Sequence, residues 1–156
     1  MKIARRIGAF VAATVAALGL ASVVAPTSAS AARPHGPHPL NQWLSSVPAG
    51  TPTWVNVWWR TDRRICDARL VVWGGSAVAI AYPGGRSYTS FSNGSTLSRR
   101  ETDHTSFRVT AAGPTLPLLG SALLRARLFY NDCGRFARTQ VTDTGFLLPV
   151  TRRAIR

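Results

Sequence analysis

The chain has 156 residues, of which 46% are hydrophobic and 16% are charged. It is too apolar for a disordered protein and too short for more than one ordinary domain. Its 19 lysines and arginines outnumber its 6 acids and give a formal net charge of +13. Lys2 is the single lysine, so the excess charge is not that of a lysine-rich nucleic-acid tail.

Residues 1–31 have the pattern of a secretory signal peptide. A basic start is followed by an uncharged run over residues 7–24 and by the small-residue motif Ala29-Ser30-Ala31, the order that signal peptides show. We predict cleavage after Ala31, with Ala32 as the alternative. A membrane anchor is the rival interpretation, but the run is rich in alanine and glycine and a cleavage motif follows it.

Cleavage at that point leaves a chain whose charge is entirely arginine. Sixteen arginines and six acids give this mature chain a formal charge of +10. It contains no further apolar run long enough to span a membrane. We therefore predict a secreted protein, extracellular or associated with the cell envelope, without an integral membrane span.

Cys66 and Cys133 are the only cysteines. Outside the cytosol two such residues are expected to form a disulfide. Two buried free thiols are the alternative. A redox-active pair is not indicated, because the C-x-x-C spacing is absent.

Residues 32–52 are rich in proline and predict an extended leader, which is followed by a β domain over residues 53–156. In that domain apolar and polar residues alternate in short segments separated by glycine and proline turns, as in half-buried strands. The segments are residues 53–60, 65–73, 77–82, 86–91, 105–111, 122–131, 138–142 and 146–150. No amphipathic helix stands out, so the pattern predicts an all-β, antiparallel β-sandwich of about seven or eight strands.

The alternation also predicts which side chains face the core. In residues 53–60, Val55, Val57 and Trp59 share one face and Trp54 and Trp58 the other. In the next segment the residues expected to face inward are Cys66, Ala68, Leu70 and Val72. Trp73 has the opposite parity.

The stretch from Thr96 to Thr110, with Leu97, Glu101, Phe107 and Val109 in spaced positions, resembles the L-x-P-G-E-x-x-x-x-x-F-x-V stretch of secreted bacterial immunoglobulin-like modules. In those modules it joins two strands across the sandwich. This chain has Ser98-Arg99-Arg100 where the family often has a Pro-Gly turn. The resemblance implies an immunoglobulin-like sandwich with an adhesive, spacing or ligand-binding role, and it brings no catalytic residue with it.

The sequence offers few candidates for catalytic residues. Several of the acids lie beside arginines, which lower carboxyl pKa values and disfavour a general acid. His104, next to Asp103 and near Ser106, is the one histidine of the body around which a hydrolase site would form. His35 and His38 are too few for a closed zinc site. We predict no catalytic residue, no metal and no cofactor.

Tryptophans are the most suggestive residues, because one face of each strand must be core. Trp54, Trp58 and Trp73 therefore become candidates for partly exposed indoles, and exposed indoles can stack on sugar rings. The alternative is a second apolar layer, in which these three side chains are covered by residues 33–52.

Arginines supply a second candidate surface, with Arg60, Arg63 and Arg64 clustered in one turn. Outside the cell such a surface favours an anionic cell-wall polymer or glycan, and binding of nucleic acid would be nonspecific. Solubility and codon usage are the alternative explanation. Together these features predict a non-catalytic binding or structural module at a bacterial envelope or in the medium, with a carbohydrate-binding module and a small secreted hydrolase around His104 as alternatives.

Overall fold

The computed structural model describes residues 35–112, 120–134 and 136–152. The predicted signal peptide, residues 1–31, lies outside this part of the chain, as do Gly113, Pro114 and Pro117, which interrupt the sequence between the predicted segments 105–111 and 122–131. The described residues form eight strands and a short 3-10 turn at Pro83–Gly85. The strands are β1 His38–Pro39, β2 Val47–Pro48, β3 Thr53–Arg60, β4 Ile65–Trp73, β5 Val78–Ala81, β6 Thr102–Ala111, β7 Ser121–Asp132 and β8 Thr139–Thr151.

These strands form two four-stranded sheets, so the predicted all-β sandwich is confirmed. One sheet has the order β1-β3-β6-β5 and the other has the order β2-β8-β7-β4. All neighbours are antiparallel except β2 and β8, which are parallel. Constant-type immunoglobulin domains place their strands in the same order, here with the first strand divided between the two sheets.

The proline-rich segment contributes that divided first strand. Pro39 pairs with Trp59 at one edge of the first sheet, and Val47 pairs with Val150 at one edge of the second. Short edge strands that carry prolines fit positions where a backbone N–H is not needed for the ladder. The segment predicted as a leader thus joins both sheets from residue 38 onward.

The core lies between the sheets and is built from the inward residues that the alternation predicts. Val55, Val57 and Trp59 of β3 are buried, as are Phe107 and Val109 of β6. From the second sheet the core receives Leu124, Ala126, Leu128, Phe146 and Leu148. The rings of Trp59 and Phe146 meet edge to face with centroids 6.3 Å apart, a favourable geometry for two aromatic side chains.

Strand β4 departs from the predicted alternation at its start. Ile65 and Ala68 are fully buried, whereas Cys66 is only partly buried. The pairing with β7 shifts register between Cys66 and Arg69, and Asp67 takes a positive φ of 54°. This β-bulge adds a residue to the strand, so Cys66 does not share the inward face of Ala68, Leu70 and Val72 as predicted.

Residues 86–91 do not form the continuous strand that the sequence predicts. Thr89 pairs with Leu70 of the second sheet, and Phe91 pairs with Thr105 of the first. The segment therefore crosses from one sheet to the other, and it cannot follow a single ladder. By contrast, the two strands predicted at residues 138–142 and 146–150 form one strand, β8, in which Gly145 pairs with Arg125 without a break.

Cys66 and Cys133 are joined by a disulfide with an S–S distance of 2.03 Å, as predicted. The bond links the start of β4 to the residue after β7, which are neighbouring strands of one sheet. The disulfide of antibody domains joins the two sheets, so the bond between Cys66 and Cys133 is not its equivalent. Here the contact between Trp59 and Phe146 lies across the sheets instead.

Candidate functional site

The outer surface of the first sheet carries the most distinctive set of side chains. It is formed where the outward residues of β3 meet those of β6, and we call it the aromatic face. Its residues are Trp54, Asn56, Trp58 and Arg60 of β3 and Thr102, His104, Ser106 and Arg108 of β6. Trp54 is 53% exposed and Trp58 is 44% exposed.

Strand pairing sets the neighbours on this face. Trp54 lies opposite Arg108, and Trp58 lies opposite His104. The rings of Trp58 and His104 have centroids 4.7 Å apart at an angle of 43°. Because residues on one strand advance by about 3.4 Å each, the two tryptophans stand about 14 Å apart along β3.

A polar pair lies between the two indoles. The Ser106 hydroxyl donates a hydrogen bond of 2.7 Å to Oδ1 of Asn56. This bond orients the Asn56 amide so that its Nδ2 can donate to a ligand lying over the face. The aromatic face therefore has two apolar indole surfaces with the hydrogen-bonding groups of Asn56 and Ser106 between them.

Asn41 fixes the edge of β3 next to Trp58. Its Oδ1 accepts from the Trp58 backbone N–H at 2.8 Å, and its Nδ2 donates to the Asn56 carbonyl at 3.2 Å. The Leu40 N–H donates to the Trp58 carbonyl at 2.7 Å. Backbone groups on both sides of Trp58 are thus paired, and the strand that carries the indole is held in place before any ligand arrives.

The sequence does not single out Asn41 or Arg108, and it indicates Ser106 only as a neighbour of His104. The outward position of Arg108 follows from the alternation in β6, but its place opposite Trp54 follows only from the pairing of β3 with β6. That pairing joins segments about fifty residues apart, and no local pattern predicts it. His104, considered in the sequence only for hydrolysis, is a ring neighbour of Trp58.

The third predicted tryptophan is not part of this face. Trp73 is 42% exposed at the end of β4 in the second sheet, where it lies opposite Arg125. Trp43, which bridges to Leu147 of the same sheet, is also exposed. Residues 35–52 therefore do not bury the candidate indoles, and the structure divides these indoles between the two sheets.

The three clustered arginines are also divided. Arg60 ends β3 on the aromatic face, while Arg64 is exposed in the loop that follows. Arg63 reaches the second sheet, where its Nη2 donates to Oε1 of Gln140 at 2.7 Å and its Nη1 lies 3.4 Å from Oδ1 of Asp132. The contacts of Arg63 tie a loop to β7 and β8.

Asp62, although flanked by arginines in sequence, is held by the proline-rich segment. Its Oδ1 accepts from the Gly36 N–H at 2.8 Å, and its Oδ2 lies 3.2 Å from Nδ1 of His35. The Gly36 hydrogen bond, assisted by His35, lowers the pKa of the Asp62 carboxyl. The predicted lowering is found, but its cause is this contact rather than the arginines.

Of the residues considered for hydrolysis, Ser106 donates its hydroxyl to Asn56, whereas Nδ1 of His104 lies 3.6 Å from the carboxylate of Asp103. This buried group accepts from the Ser92 hydroxyl, from the Asn93 N–H at 3.1 Å and from the His104 N–H at 2.6 Å. Burial opposes its ionisation, yet the three donors hold the pKa of Asp103 below its usual value. A serine triad places histidine between the serine and the acid, whereas here the Ser106 hydroxyl is bonded to Asn56 and the Ser92 hydroxyl donates directly to Asp103.

A shallow groove on the second sheet is a concave candidate. It has a volume of about 470 Å³ and is lined in part by Arg69, Tyr88 and Phe129. The Arg69 guanidinium lies 5.3 Å from the centroid of the Tyr88 ring, and Asn131 donates to Asp67 at 3.1 Å. Arg69, Asp67 and Asn131 therefore already have partners within this groove.

The described part of the chain holds neither a metal-binding cluster nor a membrane-spanning helix. No group of three or more histidine, cysteine, aspartate or glutamate side chains is placed to hold a metal ion among residues 35–112, 120–134 and 136–152. No helix of those residues is long and apolar enough to cross a membrane. Among known proteins, no family model and no curated protein matches this chain.

Proposed function

We propose that this chain is a secreted, non-catalytic binding module that holds a saccharide against Trp54 and Trp58. The observation that carries the proposal is the position of these two half-exposed indoles on one face of one strand. The C–H faces of sugar rings are apolar and stack on aromatic rings, while the ring hydroxyls require hydrogen-bonding groups nearby. Asn56 and Ser106 lie between the indoles and supply such groups.

Rigidity of the face supports the same proposal. Strand β3 has a neighbour on each side, and its pairing with β6 includes all eight of its residues. Asn41 adds further hydrogen bonds beside Trp58. A platform that is ordered in the free protein binds with a smaller loss of side-chain and backbone entropy than a flexible loop.

Secretion is supported by the signal-like residues 1–31 and by the bond between Cys66 and Cys133, because disulfides persist in oxidising compartments. The strand order, which matches that of immunoglobulin domains, supports the resemblance to secreted bacterial modules. In such a setting the module would act at the cell envelope or in the medium.

The test is retention on purified insoluble polysaccharides, namely cellulose, chitin and xylan, by the wild type and three tryptophan variants. Trp54→Ala and Trp58→Ala are each expected to weaken binding by about fivefold or more, since stacking on an aromatic ring contributes about 1 kcal/mol. Trp73→Ala is the matched control, because this indole has similar exposure but lies on the other sheet.

Equal loss of retention in all three variants would overturn the proposed site, as would full retention in Trp54→Ala and Trp58→Ala. Release of soluble sugars during the incubation would bear on the non-catalytic part of the proposal. If the wild type hydrolysed one of these polymers and His104→Ala abolished the hydrolysis, the alternative of a small secreted hydrolase would replace the binding module.

A further inference from the structure

We infer that the saccharide held on the aromatic face is acidic, a polymer whose sugar rings carry carboxylate groups. The inference rests on the proposed stacking of sugars on Trp54 and Trp58, and it concerns the charge of the ligand. It follows from the positions of two arginines on this face and from the positions of the acidic side chains elsewhere in the fold.

Each of the two indoles on the aromatic face has an arginine nearby. Arg108 lies directly opposite Trp54 on β6, a position where α-carbons are about 5 Å apart. Arg60 follows Trp58 by two residues on the same face of β3, about 7 Å along the strand. The two indoles of β3 are thus each accompanied by an arginine, Arg108 from β6 and Arg60 from β3 itself.

All six acidic side chains of the chain lie in the described residues, and none of them is on this face. Asp103 belongs to β6 but is buried at the rim of the core, where it accepts from Ser92 and Asn93 and lies 3.6 Å from Nδ1 of His104. The other five hold partners elsewhere: Asp62 with Gly36, Asp67 with Asn131, Glu101 with Ser98, Asp132 with Gln140 and Asp143 with Arg127. The face therefore carries two exposed arginines and no exposed acid.

In the second sheet, by contrast, one arginine is paired with a carboxylate. Arg127 of β7 makes a fork of two hydrogen bonds to Asp143 of β8, at 2.7 and 3.0 Å. Within the described residues, neither Arg60 nor Arg108 has a carboxylate within 4 Å. A guanidinium recognises a carboxylate by this same paired geometry. A carboxylate on the ligand would therefore supply the partner that Arg60 and Arg108 lack among the described residues.

A neutral saccharide fits less of this surface. Asn56 and Ser106 can bind hydroxyl groups, but a neutral ligand would cover two exposed cations without compensating their charge. A polymer of uronic acids would satisfy the indoles with its ring faces and the arginines with its carboxylates. Its repeating charge also matches a face on which the platform and the cation occur twice.

Polygalacturonate and its fully methyl-esterified form provide a matched pair of probes, because they share a backbone and differ in charge. Their affinities are to be measured by isothermal titration calorimetry with the wild type, Arg60→Gln, Arg108→Gln and Arg125→Gln. Arg125→Gln is the control: it removes the same charge from an exposed strand position on the other sheet. Trp54→Ala is included to report on stacking.

We expect polygalacturonate to bind roughly tenfold more tightly than the ester at low salt, from two exposed ion pairs. High salt should remove most of the difference. Arg60→Gln and Arg108→Gln should each reduce binding of the acid form only, and Arg125→Gln should change neither. Trp54→Ala should weaken both.

Each contrary result has its own meaning. Equal affinity for the two polymers, with a loss in Trp54→Ala, would overturn the acidic ligand and leave the proposed function standing. Binding of the acid form that is unaffected by Trp54→Ala, or absence of binding to both polymers and to the insoluble polysaccharides, would overturn the stacking site. Arg125 lies opposite the exposed Trp73, so an equal loss in Arg125→Gln would show that binding is not confined to the aromatic face and would overturn the recognition by Arg60 and Arg108.

Discussion

The indole Nε1 of Trp59 donates a hydrogen bond of 3.0 Å to the hydroxyl of Thr105 inside the core. Both side chains are fully buried. The bond joins β3 to β6 across the inner side of the sheet whose outer side carries Trp54 and Trp58. Strand β3 therefore has one tryptophan, Trp59, that is buried with its N–H hydrogen-bonded, and two others, Trp54 and Trp58, that are exposed.

Thr105→Val is expected to lower the free energy of unfolding by about 1–3 kcal/mol, because it leaves the Trp59 N–H buried without an acceptor. Valine keeps the shape of threonine, so the loss is not that of a cavity. Chemical denaturation monitored by circular dichroism measures the change.

Trp59→Phe, made alone and together with Thr105→Val, completes a double-mutant cycle. When Trp59→Phe is already present there is no indole N–H to leave unpaired, so Thr105→Val should cost much less in that variant than in the wild type. Additive effects would show that the hydrogen bond contributes nothing to stability.

The three donors around Asp103 predict a dependence of stability on acid pH. The pKa of the folded carboxyl lies below the ordinary value of 3.8, so the unfolded chain binds this proton more readily. The stabilisation is then fully present above about pH 4, and it is lost as the pH falls through the lower folded value. Urea denaturation from pH 7 to pH 2 measures it.

In Asp103→Asn this part of the pH dependence should vanish, and the variant should be less stable than the wild type at pH 7. Asp143→Asn is a suitable comparison, since its pKa is also lowered, by an exposed pair with Arg127. Exposed pairs contribute little. If the free energy of unfolding of the two variants had the same dependence on pH, the donors around Asp103 would contribute no more to stability than the exposed pair does.

The sequence predicts β3, β6 and β7 well because their alternation is strict and one side of each strand is core. It cannot predict the bulge at Asp67, where a residue other than glycine takes a positive φ without any change in the hydrophobic pattern. It also cannot predict that Thr89 and Phe91 pair with different sheets. Both depend on contacts made only after the sheets assemble.

The candidate site shows the same division. Exposure of Trp54 and Trp58 follows from Val55, Val57 and Trp59 taking the core side of the strand. Which side chains stand beside the indoles depends instead on a pairing between distant segments. The clustering of Arg60, Arg63 and Arg64 in sequence is therefore a poor guide, since only Arg60 lies on the face.

The disulfide between Cys66 and Cys133 closes a sequence separation of 67 residues. In the chain-entropy model a loop of that length stabilises the folded state by about 4 kcal/mol. Reduction of the native protein, or the double variant Cys66→Ser with Cys133→Ser, should lower the free energy of unfolding by an amount of that order. Thermal denaturation with and without a reductant measures it, and an unchanged melting temperature would contradict the prediction.

Gly120 precedes β7 with a positive φ of 56°, and a Cβ there would lie 2.8 Å from the carbonyl oxygen of Val150. Gly120→Ala should therefore suffer both backbone strain and a steric clash. Gly50→Ala is the control, because Gly50 has a φ of 72° but no atom near the Cβ position. We expect a loss of about 1 kcal/mol for Gly50→Ala and a clearly larger one for Gly120→Ala; equal losses would exclude the clash.

Stability measurements also separate the two uses of tryptophan. Trp54 is half exposed and makes no ring contact among those of the described residues, so Trp54→Ala should lower the free energy of unfolding by only about 1 kcal/mol, close to the effect of a surface substitution. Trp59→Ala should cost about 3–5 kcal/mol, as for a fully buried aromatic side chain. A large loss in Trp54→Ala would give this indole a structural role, and its exposure would no longer point to a ligand. A small loss, together with weaker binding to a polysaccharide, would leave ligand contact as the reason for placing an indole in solvent.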